Sequence, residues 1–525
     1  MDEYSRSRRP SEVETLYSVI SSVEVAGYVS LVCSVFFSNL AKLWTAIGFE
    51  MGSRQQTNKY MNPLFMRQIR QGGMGFAISD ENLAKTIALL GQIGTLSGVA
   101  LERVMAERLK NGDPGGHVRR ALAHFPYPEM SELVLKTFFA PDQSSPNRKR
   151  GIPTWSVNPS VLLISLCITA NFAMVWLAKE GHSNPITINY LEKIAMPHMF
   201  AITGAVFAEV DAITMGAGIP RYIPDVISAL LSGKPLTYEV PVIGAKNYEM
   251  RFDPASFFGK KLPELKQPDF FPIIASDALA KFLAKELRGR VSGFVVEENT
   301  AGGHNAPPRK LILDEQKKPL PIYGEKDVVD YGKIRDLGLP FWIGGSYASP
   351  EGLKLAQSKG AVGIQAGSIF ALCYESGLRD DLKRTARELG FKGLLNVLTD
   401  MRISPTGYPF KVALIPGTIA ELIVYKDRKR VCDQRVLVSL YAKADGTIGY
   451  RCPSEPIESY LKKGGKLEDT VGRGCVCNGL ESTAGLRPNE PALVTLGDDL
   501  SSLRHLMANE KSPYSAKDVI TWLLS

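Results

Sequence analysis

From residue 64 onward the chain alternates short apolar runs with longer stretches in which apolar and polar residues recur at helical spacing. The short runs, read as strands, are FMRQIRQ (65–71), IGTLS (93–97), PITINY (185–190), DAITM (211–215), FFPIIAS (270–276), GFVVEE (293–298), PFWIGG (340–345) and AVGIQAG (361–367). Between most of them lie amphipathic segments such as SDENLAKTIALLGQ, DALAKFLAKELRGR and SPEGLKLAQSKG, each opened by a Ser or Asp able to cap a first helical turn. Strands alternating with helices predict right-handed βαβ units around a parallel sheet. Eight such units close naturally into an α/β barrel, the (β/α)8 or TIM fold, whose chemistry lies at the C-terminal ends of the strands.

Two interruptions need places in that barrel. Residues 100–180 read as a mostly helical insertion after the second strand. Residues 235–254, PLTYEVPVIGAKNYEMRFDP, alternate with period two around IGAKN and read as a β-hairpin inserted before the fifth strand. After about residue 378 the alternation fades. Helix-like DDLKRTARELGFKGLLNVLTD (380–400) gives way to a Pro- and Gly-punctuated tail, predicting a barrel over 61–378 and a C-terminal subdomain, 379–525, packed on it. The first 60 residues stand apart. VAGYVSLVCSVFFSNLA (25–41) is uncharged for 17 residues, the lower edge of a membrane span, and RSRR precedes it. Residues 1–60 are therefore expected to be either a dispensable extension or a membrane anchor acting through residues 25–49.

Composition narrows the function. A net charge of +8 over 525 residues, with no dense Lys/Arg region interleaved with aromatics, excludes nucleic acid as the expected partner. Seven cysteines are too sparse for a disulfide framework, which points to a reducing compartment: cytoplasmic, or membrane-associated if the N-terminal segment anchors the chain. Cys432, Cys452, Cys475 and Cys477 lack the paired C-x-x-C spacing of zinc ribbons and are read as ordinary thiols, with no metal site.

Glycines collect behind the strands, in QGGMG (71–75), MGAGIP (215–220), AGGH (301–304), IGGS (343–346) and QAGS (365–368). Five clusters on one barrel rim predict a bulky, flat ligand that the backbone must approach closely. The loops after strands seven and eight bind phosphate in many α/β barrels, making Gly344, Gly345, Gly367 and Ser368 candidates. His304 follows the sixth strand behind Gly302 and Gly303 and is the candidate catalytic side chain. His117, His124, His182 and His198 have no such setting and are read as structural. Glu297 and Glu298 are read as holding the loop or orienting His304, with direct proton transfer as the lesser alternative.

In this order the blocks IRQGGMG, ITINYL, VEENTAGGH, PFWIGGSYASPEG and GAVGIQAGSIFA resemble the FMN-dependent nitronate monooxygenases, formerly called 2-nitropropane dioxygenases, and their relatives the flavin enoyl-acyl carrier protein reductases. A longer-chain branch also carries LSGVALERV, GDPGGHVRRALAHFP, TDMRISPTGYPFKV, GYRCPSEP and CVCNGL, so the resemblance runs over about 61–500. It implies FMN as cofactor, with Gly73 and Met74 against the isoalloxazine. Asn189 and Gln365 would hydrogen-bond the flavin, and the loop of Gly344, Gly345 and Ser346 with Gly367 and Ser368 would take the phosphate. His304 falls on the family's catalytic histidine. Two departures bear on the pocket: Ser346 stands where the family has a second glycine, and NAPPR follows His304 in place of the usual glycine. The implied activity is oxidation of alkyl nitronates or nitroalkanes by oxygen to a carbonyl compound and nitrite. The alternative is NAD(P)H-dependent reduction of an enoyl thioester; a lesser one is a flavin-binding protein without turnover.

Overall fold

The computed structural model describes residues 62–315 and 318–525; the extension or anchor expected within 1–60 lies outside the described residues. Eight parallel strands run in the order the apolar runs foretell: β1 (Ile69–Gln71), β2 (Gly94–Ser97), β3 (Ile186–Leu191), β4 (Ala212–Gly216), β5 (Asp269–Ile274), β6 (Phe294–Glu297), β7 (Phe341–Gly344) and β8 (Gly363–Ala366). Each strand from β2 to β8 neighbours its successor, and β8 pairs with β1. The backbone closes the ring, since Gln71 N–H donates to Ile93 O (3.0 Å) and Ile93 N–H donates to Ile69 O (3.1 Å). The fold is a closed α/β TIM barrel with insertions.

The first strand starts later than its apolar pattern suggests. Pro63–Met66 forms a 3-10 turn instead of strand, and it plugs the N-terminal end of the barrel. Leu64 is buried with Ile93, Ala212, Phe271 and Trp342, and Phe65 meets Phe271 edge-on at 6.2 Å. Pro63 favours such a turn because it has no N–H to give to a ladder. Above the plug, Arg70 points into the barrel. Its guanidinium donates to the Thr214 hydroxyl and to Thr187 Oγ1 (3.4 Å), and lies over the rings of Phe271 (5.0 Å) and Trp342 (5.7 Å). Burial lowers its pKa to about 9, with Asp269 opposing the shift.

The helices begin within a residue of the predicted caps, Ser276 rather than Asp277 capping the second. The side chains of Asp80, Ser276 and Ser349 accept N–H bonds that open Glu81–Leu89, Asp277–Glu286 and Pro350–Ser358. The insertion after β2 holds helices Leu101–Lys110, His117–Leu122, Pro128–Phe138 and Val161–Lys179. The last is long and apolar enough to cross a membrane by length and composition, with mean hydropathy 2.2, yet 78% of that stretch is buried inside the protein. It packs closely on His198–Phe207, where a Cβ on Gly204 would come within 2.1 Å of Ile168 O.

The hairpin before β5 is present, Leu236–Val240 pairing antiparallel with Tyr248–Phe252. Its turn carries Val242–Ile243, which joins Ser439–Ala442 in a small sheet and so ties the insertion to the C-terminal segment. In that segment the helix read over 380–400 stops early, at Phe391. Gly393 takes φ +72°, a conformation that ends helices, and Val397–Asp400 then forms a strand with Phe410–Ala413. Residues Pro63–Ser525 form one compact unit.

The plug supplies a direct test of this architecture. Leu64→Ala is expected to lower unfolding free energy by about 2–4 kcal/mol, as truncation of buried leucines does, while the far-UV spectrum is unchanged. Urea unfolding at matched protein concentration measures it; an unchanged midpoint would mean that the turn does not fill the barrel.

Candidate active site

The C-terminal rim of the barrel encloses a cavity to which every strand, or the residue just after it, contributes: Gly72, Ser97, Asn189, Gly216, Ile273, Glu297, Gly344 and Ala366 line it. All ten site residues read from the sequence line the same cavity, namely Gly73, Met74, Asn189, His304, Gly344, Gly345, Ser346, Gln365, Gly367 and Ser368.

The loop after β1 is held by side chains rather than by regular structure. Buried Gln71 accepts from Thr95 N–H (2.9 Å) and donates to Ser79 Oγ (2.6 Å). Ser79 in turn donates to Gly72 O (2.9 Å) and accepts from Met74 N–H (3.0 Å), which fixes the Gly72–Met74 turn against the rim. Gly73 admits no side chain, since a Cβ there would lie 2.4 Å from Asn189 Cβ.

The loops after β7 and β8 are equally tight. Gly345 has φ +106°, and a Cβ on it would meet Thr300 Oγ1 at 2.7 Å. Ser346 follows at φ +51°, a left-handed conformation that costs a residue with a Cβ about 1–3 kcal/mol. Ser346 is therefore strained where a glycine would not be. Met74 lies against Gly367, 3.5 Å from the position of a Cβ. Ser368 Oγ accepts from Gly497 N–H (2.7 Å), so its hydroxyl ties the C-terminal segment to the rim. Asn189 Oδ1 and Thr300 Oγ1 are buried without a hydrogen-bond partner. Unpaired buried acceptors are costly, about 1–3 kcal/mol each, and both belong to residues lining the cavity, where a ligand bearing donors would satisfy them.

The glycines before His304 serve the protein's own backbone, not only a ligand. A Cβ on Gly302 would lie 2.9 Å from Leu496 C, and Gly303 takes φ +84°. The loop is gripped from two sides. Gly303 N–H donates to Thr495 Oγ1 (2.8 Å), and Asp498 N–H to Thr300 O (3.0 Å). On the other flank Lys411 N–H donates to Gly303 O (2.9 Å) and Asn305 N–H to Pro409 O (3.0 Å). A salt bridge from Lys411 Nζ to Asp498 (2.6 Å) joins the two flanks. His304 packs edge-on against Phe410 at 4.8 Å, and its Nε2 shares a 2.7 Å hydrogen bond with Ser404 Oγ, which also bonds Thr406 Oγ1 (2.8 Å).

Burial, together with the nearby Lys193 ammonium, holds the His304 pKa well below the ordinary imidazole range, so the ring is neutral at pH 7. Burial pushes Glu297 up to about 7, with Lys193 opposing, and lowers Lys193 to about 7, with Glu192 and Glu297 opposing. Glu298 does not orient His304. It accepts from Tyr331 OH (2.6 Å) and Tyr347 OH (2.9 Å) and braces the loop after β7. The other histidines read as structural make local contacts: His198 Nε2 meets Leu191 O (3.0 Å), His182 Nε2 meets Ala178 O (2.7 Å), and His124 stacks on Trp176. Cys452, Cys475 and Cys477 are buried free thiols, and Cys432 is half-buried. Among the described residues no group of three or more His, Cys, Asp or Glu is placed to hold a metal ion.

Sequence reasoning assigned no role to the outer wall, although Phe410, Val476 and Leu480 lie in the blocks TDMRISPTGYPFKV and CVCNGL. Phe410, Val436, Leu437, Val476 and Leu480 give the cavity an apolar side drawn from the C-terminal segment. Lys193 and Thr495, which bias His304 or hold its loop, carried no motif of their own, and Ser404 lay in the block TDMRISPTGYPFKV without an assigned role. The ensemble offers a glycine-walled slot, a neutral imidazole, a carboxyl group with a buried ammonium nearby, and an apolar chamber.

The strain at Ser346 makes a measurable statement. Ser346→Gly is expected to raise unfolding free energy by about 1 kcal/mol, whereas Ser346→Ala, which keeps the Cβ, gains nothing. Equal effects of the two variants in denaturant melts would show that the left-handed conformation is not the source.

No family model and no curated protein matches the chain. Among solved structures, FabK from Thermotoga maritima aligns at 14% identity and a TM-score of 0.43, over 89% of this chain and 94% of that one. A nitroalkane oxidase from Streptomyces ansochromogenes aligns at 11% identity and 0.43, over 88% of this chain and 95% of that one. The enoyl reductase domain of MlnA, from the macrolactin biosynthesis cluster of Bacillus amyloliquefaciens, aligns at 11% identity and 0.42, over 90% and 97%.

Proposed function

We propose that the protein is an FMN-dependent oxidoreductase that converts alkyl nitronates, or the parent nitroalkanes, with oxygen to carbonyl compounds and nitrite. The observation that carries this reading is the convergence of the ten residues on one rim cavity that has glycine walls and an unpartnered buried Asn189 Oδ1. The residues present fit the cofactor. Gly73 and Met74 would flank the flavin ring, Asn189 and Gln365 would meet its polar edge, and Gly344, Gly345, Ser346, Gly367 and Ser368 would surround its phosphate. When bound, FMN supplies electron acceptance and the reaction with oxygen; the protein supplies position and charge.

The chain's own contributions follow from the geometry. His304 is neutral and fixed through Nε2 to Ser404, which leaves the imidazole to hydrogen-bond a nitronate oxygen rather than to form an ion pair with it. The apolar wall of Phe410, Val436, Leu437, Val476 and Leu480 suits an alkyl group and excludes water from the reacting carbon. The grip of residues 409–411 and 495–498 on the loop keeps the imidazole in place.

The purified protein is expected to be yellow and to release FMN on denaturation, and Gly73→Ala, which pushes Asn189 aside, is expected to lose most of the flavin. Anaerobically, an alkyl nitronate is expected to bleach the flavin and NAD(P)H is not. Rapid bleaching by NAD(P)H alone would replace this reading with the enoyl-thioester reductase. Colourless protein that cannot be reconstituted with FMN would remove the flavin assignment altogether.

A further inference from the structure

The loop histidine is the obvious proton acceptor of the cavity, yet its surroundings suit that role poorly. Nε2 is engaged with Ser404 Oγ at 2.7 Å, the ring is packed on Phe410, and burial beside an ammonium disfavours a second positive charge on it. Five residues before Gly302, the rim presents a different group. Glu297 ends β6 opposite Gly344 of β7 and lines the cavity, while strand alternation sends Glu298 the other way, to Tyr331 and Tyr347. The Glu297 carboxyl makes no hydrogen bond among the described residues, in contrast to Glu298.

Its charge partner is Lys193, on the loop that follows β3. Lys193 Nζ is buried, has no hydrogen-bond partner among the described residues, and lies 3.6 Å from the centre of the Tyr408 ring, so its charge is balanced by the ring face and by nearby carboxylates rather than by water. The titratable groups around Glu297 are few. Lys193 and Glu192 come from the loop after β3 and His304 from its own loop; Ile273 of β5 and Gly344 of β7 bring no charge, and Cys477 and Asp499 line the cavity from the C-terminal segment.

We propose that Glu297, biased by the buried Lys193, is the proton-exchanging group of this cavity, and that His304 acts beside it as a neutral hydrogen-bonding group. The inference rests on the nitroalkane reading for its substrate. With a neutral nitroalkane, the α-carbon–hydrogen bond breaks, its electron pair passes into the nitro group to give the nitronate, and the proton bonds to a Glu297 carboxylate oxygen. No oxidant enters this step. Lys193 is a positioning residue: in its protonated form it favours the carboxylate and so keeps Glu297 ionised at a lower pH than burial alone would allow, and because burial also brings Lys193 down to about 7 the two groups titrate as a pair.

The test uses the holoenzyme with nitroethane and with preformed ethyl nitronate, comparing the parent protein with Glu297→Gln, Lys193→Met and His304→Asn. Activity on nitroethane is expected to rise with pH through about 7, where Glu297 loses its proton. Glu297→Gln is expected to lose that limb and about 10²- to 10⁴-fold in kcat/KM on nitroethane, with a much smaller loss on ethyl nitronate, from which no proton need be removed. Lys193→Met should move the limb to higher pH, and His304→Asn should retain it. A limb that survives in Glu297→Gln, or disappears in His304→Asn, overturns the assignment. A second readout needs no turnover: an infrared pH titration of the purified protein should show a carboxyl band that is absent in Glu297→Gln and titrates at higher pH in Lys193→Met. A protein inert to nitroalkanes would sink the functional reading while leaving the proton assignment to that band; no such band in the parent protein would sink the assignment itself.

Discussion

The structure depends on closing an eight-stranded parallel sheet through a first strand only three residues long. Ile69, Arg70 and Gln71 pair with β8 on one side and with Ile93 on the other, and without them the sheet would have two open edges. The closure is sterically exacting. A Cβ at Gly363 would stand 1.8 Å from Gln68 O, so only glycine lets β8 pass the chain entering β1. The same three residues fill the interior and build the rim. Arg70 is fully buried among Thr187, Thr214, Phe271 and Trp342, while Gln71 reaches up to Ser79 and sets the Gly72–Met74 turn. Barrel stability and cavity shape are therefore coupled through one strand.

The second dependence is long-range. The His304 loop has no regular structure of its own, and its geometry comes from residues roughly a hundred and two hundred positions away: Pro409–Lys411 on one flank and Thr495–Asp498 on the other. The C-terminal segment is thus a wall of the cavity rather than an accessory packed beside it. This arrangement also explains the electrostatics, because a loop pressed between protein segments loses water, and loss of water keeps His304 neutral and raises Glu297.

Much of this was legible in the sequence because it is local. Short apolar runs marked all eight strands, Ser or Asp residues marked helix starts to within a residue, and the glycine clusters marked the rim on which the ten site residues meet. What was illegible depends on contacts distant in sequence. FMRQ opens a short run read as a strand, and only the space at the barrel's end makes 63–66 a plug. Gly302 looked like an approach to a ligand and is also an approach to Leu496. Lys193 carries no motif and Ser404 no assigned role within TDMRISPTGYPFKV, and their importance is a matter of which charge and which hydroxyl the fold brings to His304. Ser346 did leave a trace, as a serine in a place where the resembled family keeps glycine, and its φ of +51° shows what that substitution costs.

The central proposal is that barrel rim and C-terminal segment together form one FMN site. Amide hydrogen exchange of the flavin-free protein, measured with and without added FMN, tests it most directly. The account predicts that FMN slows exchange in three rim segments, 72–75, 345–346 and 367–369, and also in the segments that complete the cavity, 300–305 and 495–498. Protection confined to other parts of the surface, or none at saturating FMN, would contradict it.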